Sequence, residues 1–171
     1  MGKIVKTTDF VGKYSISQNS FNGSDLQAFI DKYEKVYLRD LLGLVLGDLL
    51  YADIAANTFL APPTARYTVL FNAIAQELNG CDVISDGIKE MLLGFIYWEF
   101  VRQATVQNTT TGNVIAQNEV SAQADWSSTN IYDNYNEAIK SYRAIQIYIN
   151  ANSSTYPEFN GKMKSKAYHM F

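Results

Sequence analysis

A single cysteine, Cys81, and a single histidine, His169, are all the sequence has of two side chains that often hold metals or carry nucleophilic chemistry. One cysteine cannot close an internal disulfide, so nothing here requires an oxidising compartment, and Cys81 reads as a buried or inert thiol rather than a reactive one. His169 lies two residues from the end, with no Ser-His-Asp or Cys-His arrangement around it. There is no CxxC, no HExxH, no EF-hand loop and no glycine pattern of a phosphate loop or dinucleotide fingerprint. The expectation is a protein that is not an enzyme, with no catalytic residue, no metal and no cofactor.

Long apolar runs are also missing. No stretch approaches the ~20 residues that cross a bilayer, and MGKIVKTTDFVGKYS has no apolar leader core, so the chain reads as soluble and made in the cytoplasm, with no membrane partner. Charge of one sign is missing too. Fourteen basic against 17 acidic residues leave −3, which removes the simplest electrostatic reason to bind nucleic acid or an anionic membrane but suits a channel through which DNA slides. There is no internal repeat. The three prolines fall at two places, Pro62-Pro63 and Pro157, and both read as breaks.

What the chain does have is apolar and aromatic substance. At 47% hydrophobic, with 12 Tyr and 9 Phe in 171 residues, it can fill one domain's core. The organising stretch is Ser85 to Gln107, read as one buried helix. Ile88, Met91, Leu92, Phe95, Ile96, Trp98 and Val101 recur at helical spacing around most of its circumference. Ser85 is placed as its N-cap and Asp86 in its first turn, and Gly94 at mid-helix implies another backbone close by.

Residues 1–23 read as an extended N-terminal arm. Ser24-Asp25-Leu26-Gln27 is a capping box opening a helix with Leu26, Phe29, Ile30, Tyr33, Val36, Tyr37 and Leu41 on its buried face, stopped at Gly43. A second helix carries Leu46, Leu49, Leu50 and Ile54. Tyr67, Leu70, Phe71, Ile74, Ala75 and Leu78 predict a third, ended by Asn79-Gly80, with Cys81 to Ile84 as connector. Residues 24–107 thus form a helical core. Residues 108–128 are an extended loop or β-hairpin, with Gly112-Asn113 as turn residues, and a linker. A long helix over 129–150 comes next, with Ile131, Tyr135, Ala138, Tyr142, Ile145 and Ile149 as its stripe, and 151–171 is a C-terminal arm. The fold class is mainly α: a small antiparallel bundle of about four helices with a projecting hairpin and two extended arms. Arms too short to make a sheet of their own tend to complete pairing on a neighbouring subunit.

Three groups of residues invite a chemical reading. Glu99 inside FIYWEFVR is either a buried acid with a raised pKa or an ion-pair partner of Arg102, Arg39 or Arg143, and the ion pair is favoured. Asp40, Asp48 and Asp53 suggest a hard-cation site, but spacings of eight and five do not share a helical face. Tyr132, Tyr135, Tyr142 and Tyr148 suggest base stacking, yet with few basic residues among them they read as core and interface.

The run FVGKYSISQNSF, then DLQAFIDKYEKVYLRDLLG, SDGIKEMLLGFIYWEFVRQ, NTTTGNVIAQNE, YNEAIKSYRAIQIYI and YPEFNGK resembles head-to-tail connector, adaptor or ring proteins of tailed bacteriophages, most like those of crAss-like and other Bacteroidetes-infecting phages. The likeness covers nearly the whole chain, and its weight lies in the order and spacing of the motifs. It implies a homo-oligomer, a dodecameric ring under the portal protein, in the neck of the virion. That ring would extend the channel for genomic DNA without sequence-specific binding and dock the next tail or ring protein. By the same resemblance the partner contacts are Thr109, Thr110, Thr111, Gly112, Asn113, Val114 and Ile115 in the loop and Tyr168, His169, Met170 and Phe171 in the tail. A tail-completion or stopper protein of the neck is one alternative. A small hydrolase built on Glu99 and an aspartate is the other.

Overall fold

The computed structural model describes residues 4–16, 23–56, 64–78, 80–104, 106–109, 112–115 and 130–163. Five helices and two small hairpins succeed one another along the described chain: α1 Gly23–Leu42, α2 Leu44–Ala56, α3 Ala65–Phe71, β1 Ile74–Leu78, β2 Cys81–Ser85, α4 Ile88–Ala104, β3 Val106–Thr109, β4 Gly112–Ile115 and α5 Asn130–Ala151. The protein is a mainly helical bundle, as its periodicities predict. None of the described helices is long and apolar enough to cross a membrane.

α4 is the axis of the bundle because it is apolar on nearly every side and is covered on nearly every side. Ile88, Met91, Leu92, Leu93, Phe95, Ile96, Trp98 and Phe100 are all buried, against α5 and α1. Aromatic rings fill most of the joint. Tyr37 of α1 stacks on Phe95 at 4.4 Å, Tyr135 and Tyr142 of α5 meet Phe95 edge-on at 5.4 and 6.1 Å, and Tyr132 and Tyr135 flank Trp98 at 5.1 Å each. At Gly94 α5 lies close against α4. A Cβ there would lie 2.9 Å from the Ala138 Cβ and 3.0 Å from the Asn134 carbonyl oxygen, which is the close approach a mid-helix glycine implied.

The structure corrects several boundaries. The helix expected over Tyr67–Leu78 ends at Phe71, and Ile74–Leu78 instead pairs antiparallel with Cys81–Ser85, in the register Ile74↔Ser85 to Leu78↔Cys81. Two residues separate Leu78 from Cys81, and Asn79-Gly80 is the strongest short hairpin signal there is, with Gly80 at φ +78. Ser85 closes β2 rather than capping α4, which begins after Gly87. The Ser85 hydroxyl still serves the helix start: it accepts from the Gly87 N–H at 3.0 Å and meets the Ser141 hydroxyl at 2.5 Å. Gly87, at φ +89 beneath the Phe71 and Asn72 carbonyls, leaves no room for a Cβ. α1 begins at Gly23, at the stretch expected to open it, and the Gln27 amide donates to Asp31 at 2.9 Å. Val36, expected on the buried face of α1, is 45% exposed.

The N-terminal arm, in its described part, does not leave the body. Residues 4–16 make two 3-10 turns, Thr7–Asp9 and Gly12–Tyr14, and bury Ile4, Val5, Phe10 and Tyr14. Nor does the start of the C-terminal arm. The Tyr156 hydroxyl donates to the Arg66 carbonyl at 2.6 Å, Arg66 pairs with Glu158 at 3.3 Å, and residues 160–162 then lie across the end of α1.

Candidate functional site

Among the residues expected to meet partners, Thr109, Gly112, Asn113, Val114 and Ile115 belong to the β3–β4 hairpin that comes after α4. The pairs are Val106↔Ile115, Gln107↔Val114, Asn108↔Asn113 and Thr109↔Gly112. Gly112 and Asn113 are therefore strand residues rather than the turn expected of them. Thr110, Thr111, Tyr168, His169, Met170 and Phe171 lie outside the described residues.

The chemical candidates resolve into fastenings. Glu99 accepts from Arg102 at 2.7 Å, from the Tyr37 hydroxyl at 2.7 Å and from the Gln103 amide at 3.4 Å. It is the i,i+3 ion pair that its sequence context favours. Burial, then the Glu99 carboxylate, push the Tyr37 hydroxyl well above its ordinary pKa, so it stays a donor. The three aspartates are separate: Asp40 pairs with Lys162 at 3.3 Å, Asp48 with Arg39 at 3.3 Å, and Asp53 accepts from the Thr64 hydroxyl at 2.6 Å and its N–H at 3.1 Å. Among the described residues no group of three His, Cys, Asp or Glu is placed to hold a metal ion. Cys81 is exposed at the tip of the first hairpin, so it is not a buried thiol. Of the tyrosines, Tyr135 and Tyr142 are buried and Tyr132 and Tyr148 half-buried, packed on aromatic neighbours as core.

Sequence reasoning missed the most elaborate polar site. Glu34 of α1 is fully buried, and its Oε2 accepts from the backbone N–H groups of Ile4 at 3.1 Å and Val5 at 2.8 Å. Its Oε1 accepts from the Tyr51 hydroxyl of α2 at 2.9 Å. One carboxylate thus ties the N-terminal strap to two helices. The only signal was a charged residue on a stripe otherwise apolar, next to Leu38 and Ile30 at i+4 and i−4.

The other end of the strap is held by charge. Lys13 lies 3.1 Å from Glu90 and 2.9 Å from Glu137, and Lys89 lies 2.9 Å from Asp9. Burial alone would lower the Lys13 ammonium, but hydrogen bonds to Glu137 and Glu90 outweigh it and hold its pKa above the ordinary value. An open depression of about 390 Å³ runs beside these pairs, bordered by Asp9, Val11, Asp86, Lys89 and Leu93. With both signs of charge on its walls and a wide mouth, it lacks the convergent polar groups over an apolar floor that mark a small-molecule site.

Among the described residues, several of the exposed large apolar side chains share the outer side of α2. Leu46, Leu50 and Ile54 are buried, whereas Leu44, Val45 and Leu49 are 59%, 57% and 39% exposed. At ~100° per residue these three, with exposed Ala52, make one continuous face around Asp48. A helix apolar on both sides is normally covered on both. Here the second cover is not supplied by any described residue.

A family model described as a family of unknown function, DUF6712, matches residues 39–168, from the last turns of α1 to the C-terminal tail, and the chain belongs to that family. No curated protein and no solved structure matches the chain.

Proposed function

We propose that this DUF6712 member is a structural protein of a phage virion, a head-to-tail connector or adaptor that forms a ring under the portal, extends the DNA channel and docks the tail. The observation that carries this reading is the outer face of α2. A body whose interior is closed by stacked aromatics, and whose strap and tail are fastened by Glu34, Lys13 and Lys162, still wears three large apolar side chains outside. Such a face is a subunit contact in an assembly and a solubility cost outside one. The order of motifs shared with phage connectors points to the same end, and the slight negative charge suits a channel that must not retain DNA. Glu99, on which the hydrolase alternative would be built, is engaged by Arg102, Tyr37 and Gln103, which supports the structural reading over that one.

The experiment is to mix the purified protein with the portal protein of the same phage and examine it by mass photometry and negative-stain electron microscopy. The expected result is a ring of this chain stacked coaxially on the portal. A chain that stays monomeric at micromolar concentration and leaves the portal bare sinks the proposal.

A further inference from the structure

The elements of the bundle follow one another across it. α2 packs on α1, α1 on α4, α4 on α5, and the β1–β2 hairpin on α5. Ile74, Val83 and Ser85 make the buried side of that hairpin, and the Ser85 hydroxyl meets Ser141 of α5 at 2.5 Å. Successive strand residues point to opposite faces, so Ala75, Glu77, Asp82 and Ile84 share the other side. All four are exposed, Ile84 to 66%. Ala75 stands opposite Ile84, and Glu77 opposite Asp82. Two carboxylates directly across a strand pair repel each other, a cost that cations from another surface would relieve.

The α1–α2 end has the opposite character. Lys32, Lys35 and Arg39 lie ~140–160° around α1 from Tyr37, the residue that stacks on Phe95 of α4, so they face away from α4. All three are exposed. Arg39 reaches Asp48 of α2 at 3.3 Å, which joins this basic stripe to the exposed Leu44, Val45 and Leu49. Among the described residues, none of Lys32, Lys35, Glu77 and Asp82 is in an ion pair. The five residues of each hairpin strand span ~17 Å and the thirteen of α2 ~20 Å, so the two faces are of similar length. α4 and α5 stand between them, and within one molecule neither can cover the other.

We propose that the outer face of the β1–β2 hairpin on one copy docks against the α1–α2 end of the next, Ile84 on the apolar side of α2 and the Glu77–Asp82 pair against Lys32 and Lys35. The inference rests on the ring reading under Proposed function and names the contact that would build the ring. Two different faces of one chain make a heterologous contact, which joins copies head to tail and closes when the rotation permits.

The test uses the full chain, sized by light scattering alone and on the portal protein. One variant reverses the hairpin charges, Glu77→Lys with Asp82→Lys, and a second reverses those of α1, Lys32→Glu with Lys35→Glu. Each should keep the helical circular dichroism of the parent and lose the oligomer, because its two faces then carry the same sign. An equimolar mixture of the two should restore it, since every hairpin again meets a helix of opposite sign, and so should a chain with all four substitutions. Ile84→Thr, which keeps a branched strand residue, should weaken association about 10-fold. Oligomers that withstand either reversal, or that do not return in the mixture, would overturn this contact and leave the ring standing. An Ile84→Thr chain that associates as tightly as the parent would overturn it as well, and that variant decides if a reversal unfolds the chain. A parent that stays monomeric alone and leaves the portal bare would remove both the contact and the ring.

Discussion

A carboxylate removed from water must have its lone pairs met by donors, and Glu34 has two strap N–H groups and the Tyr51 hydroxyl for that purpose. Hydrogen bonds to a charged group contribute about 1.5–3 kcal/mol each, though not additively. Glu34→Ala should therefore cost about 3 kcal/mol in urea unfolding and abolish amide-exchange protection at Ile4 and Val5. Glu34→Gln, which keeps one acceptor oxygen, should cost less. Unchanged protection at Ile4 and Val5 in the alanine variant would show that the strap is held by its apolar side chains alone. Gly94 gives a test whose sign is informative. An alanine in mid-helix normally stabilises by about 1 kcal/mol relative to glycine, but here its methyl group would run into Ala138 and the Asn134 carbonyl. The overpacking term, about 1–3 kcal/mol, should win. Gly94→Ala should lower the urea midpoint, and a rise would mean that α4 and α5 part more easily than their packing suggests.

At the scale of elements, the end of α1 depends on a segment more than a hundred residues away. The last four carbonyls of a helix have no intrahelical partner. In α1 they are met in turn by the N–H of Gly43 on Arg39, of Lys162 on Asp40, the Gln146 amide on Leu41 and the N–H of Asn160 on Leu42. Gln146→Leu keeps the size of a buried side chain and strands the Leu41 carbonyl, so it should cost about 1–3 kcal/mol and raise amide exchange at Lys162. A variant as stable as the parent would show that water replaces the amide. The same elements show what the sequence could tell. α1, α4 and α5 were legible because each repeats an apolar stripe over four or more turns, and Gly43 because an αL stop succeeds a long periodic run. The β1–β2 hairpin was not, since Ile74, Ala75 and Leu78 fit helical spacing as well as a short strand, and only Asn79-Gly80 decided between them. The strap was illegible for another reason. Its order comes from Glu34, Glu90 and Glu137 on other elements, and no local period encodes a contact across 30 or 124 residues. The outer face of α2 was not legible: the helix was expected, but nothing in so apolar a helix says which side is outward.

For the molecule as a whole, the heavy use of tyrosine in the core makes stability depend on pH at the alkaline end. Burial, in each case the leading cause, raises the hydroxyl pKa of Tyr14, Tyr37, Tyr51, Tyr97, Tyr142 and Tyr156 above 10.0, that of Tyr156 to about 12. Neighbouring carboxylates add to this at Tyr14, Tyr37, Tyr51 and Tyr142, through Glu90, Glu99, Glu34 and Asp40. A group whose folded pKa lies above its unfolded value binds its proton more tightly in the native state. Its contribution is whole below the unfolded pKa, about 10, and is lost as pH rises through the folded value. The urea midpoint should thus be unaffected by these hydroxyls up to about pH 10 and then fall, more steeply than one group alone would produce, because several tyrosines release protons only when the core opens. The tyrosinate absorbance of these six should accordingly rise together with the loss of helical circular dichroism rather than ahead of it. Tyr156→Phe removes one such proton together with the bond to the Arg66 carbonyl, so it should be less stable than the parent at neutral pH yet lose less between about pH 10 and 12. Complete tyrosine ionisation at about pH 11 with the helices intact would mean that the aromatic core admits charge, contrary to its packing.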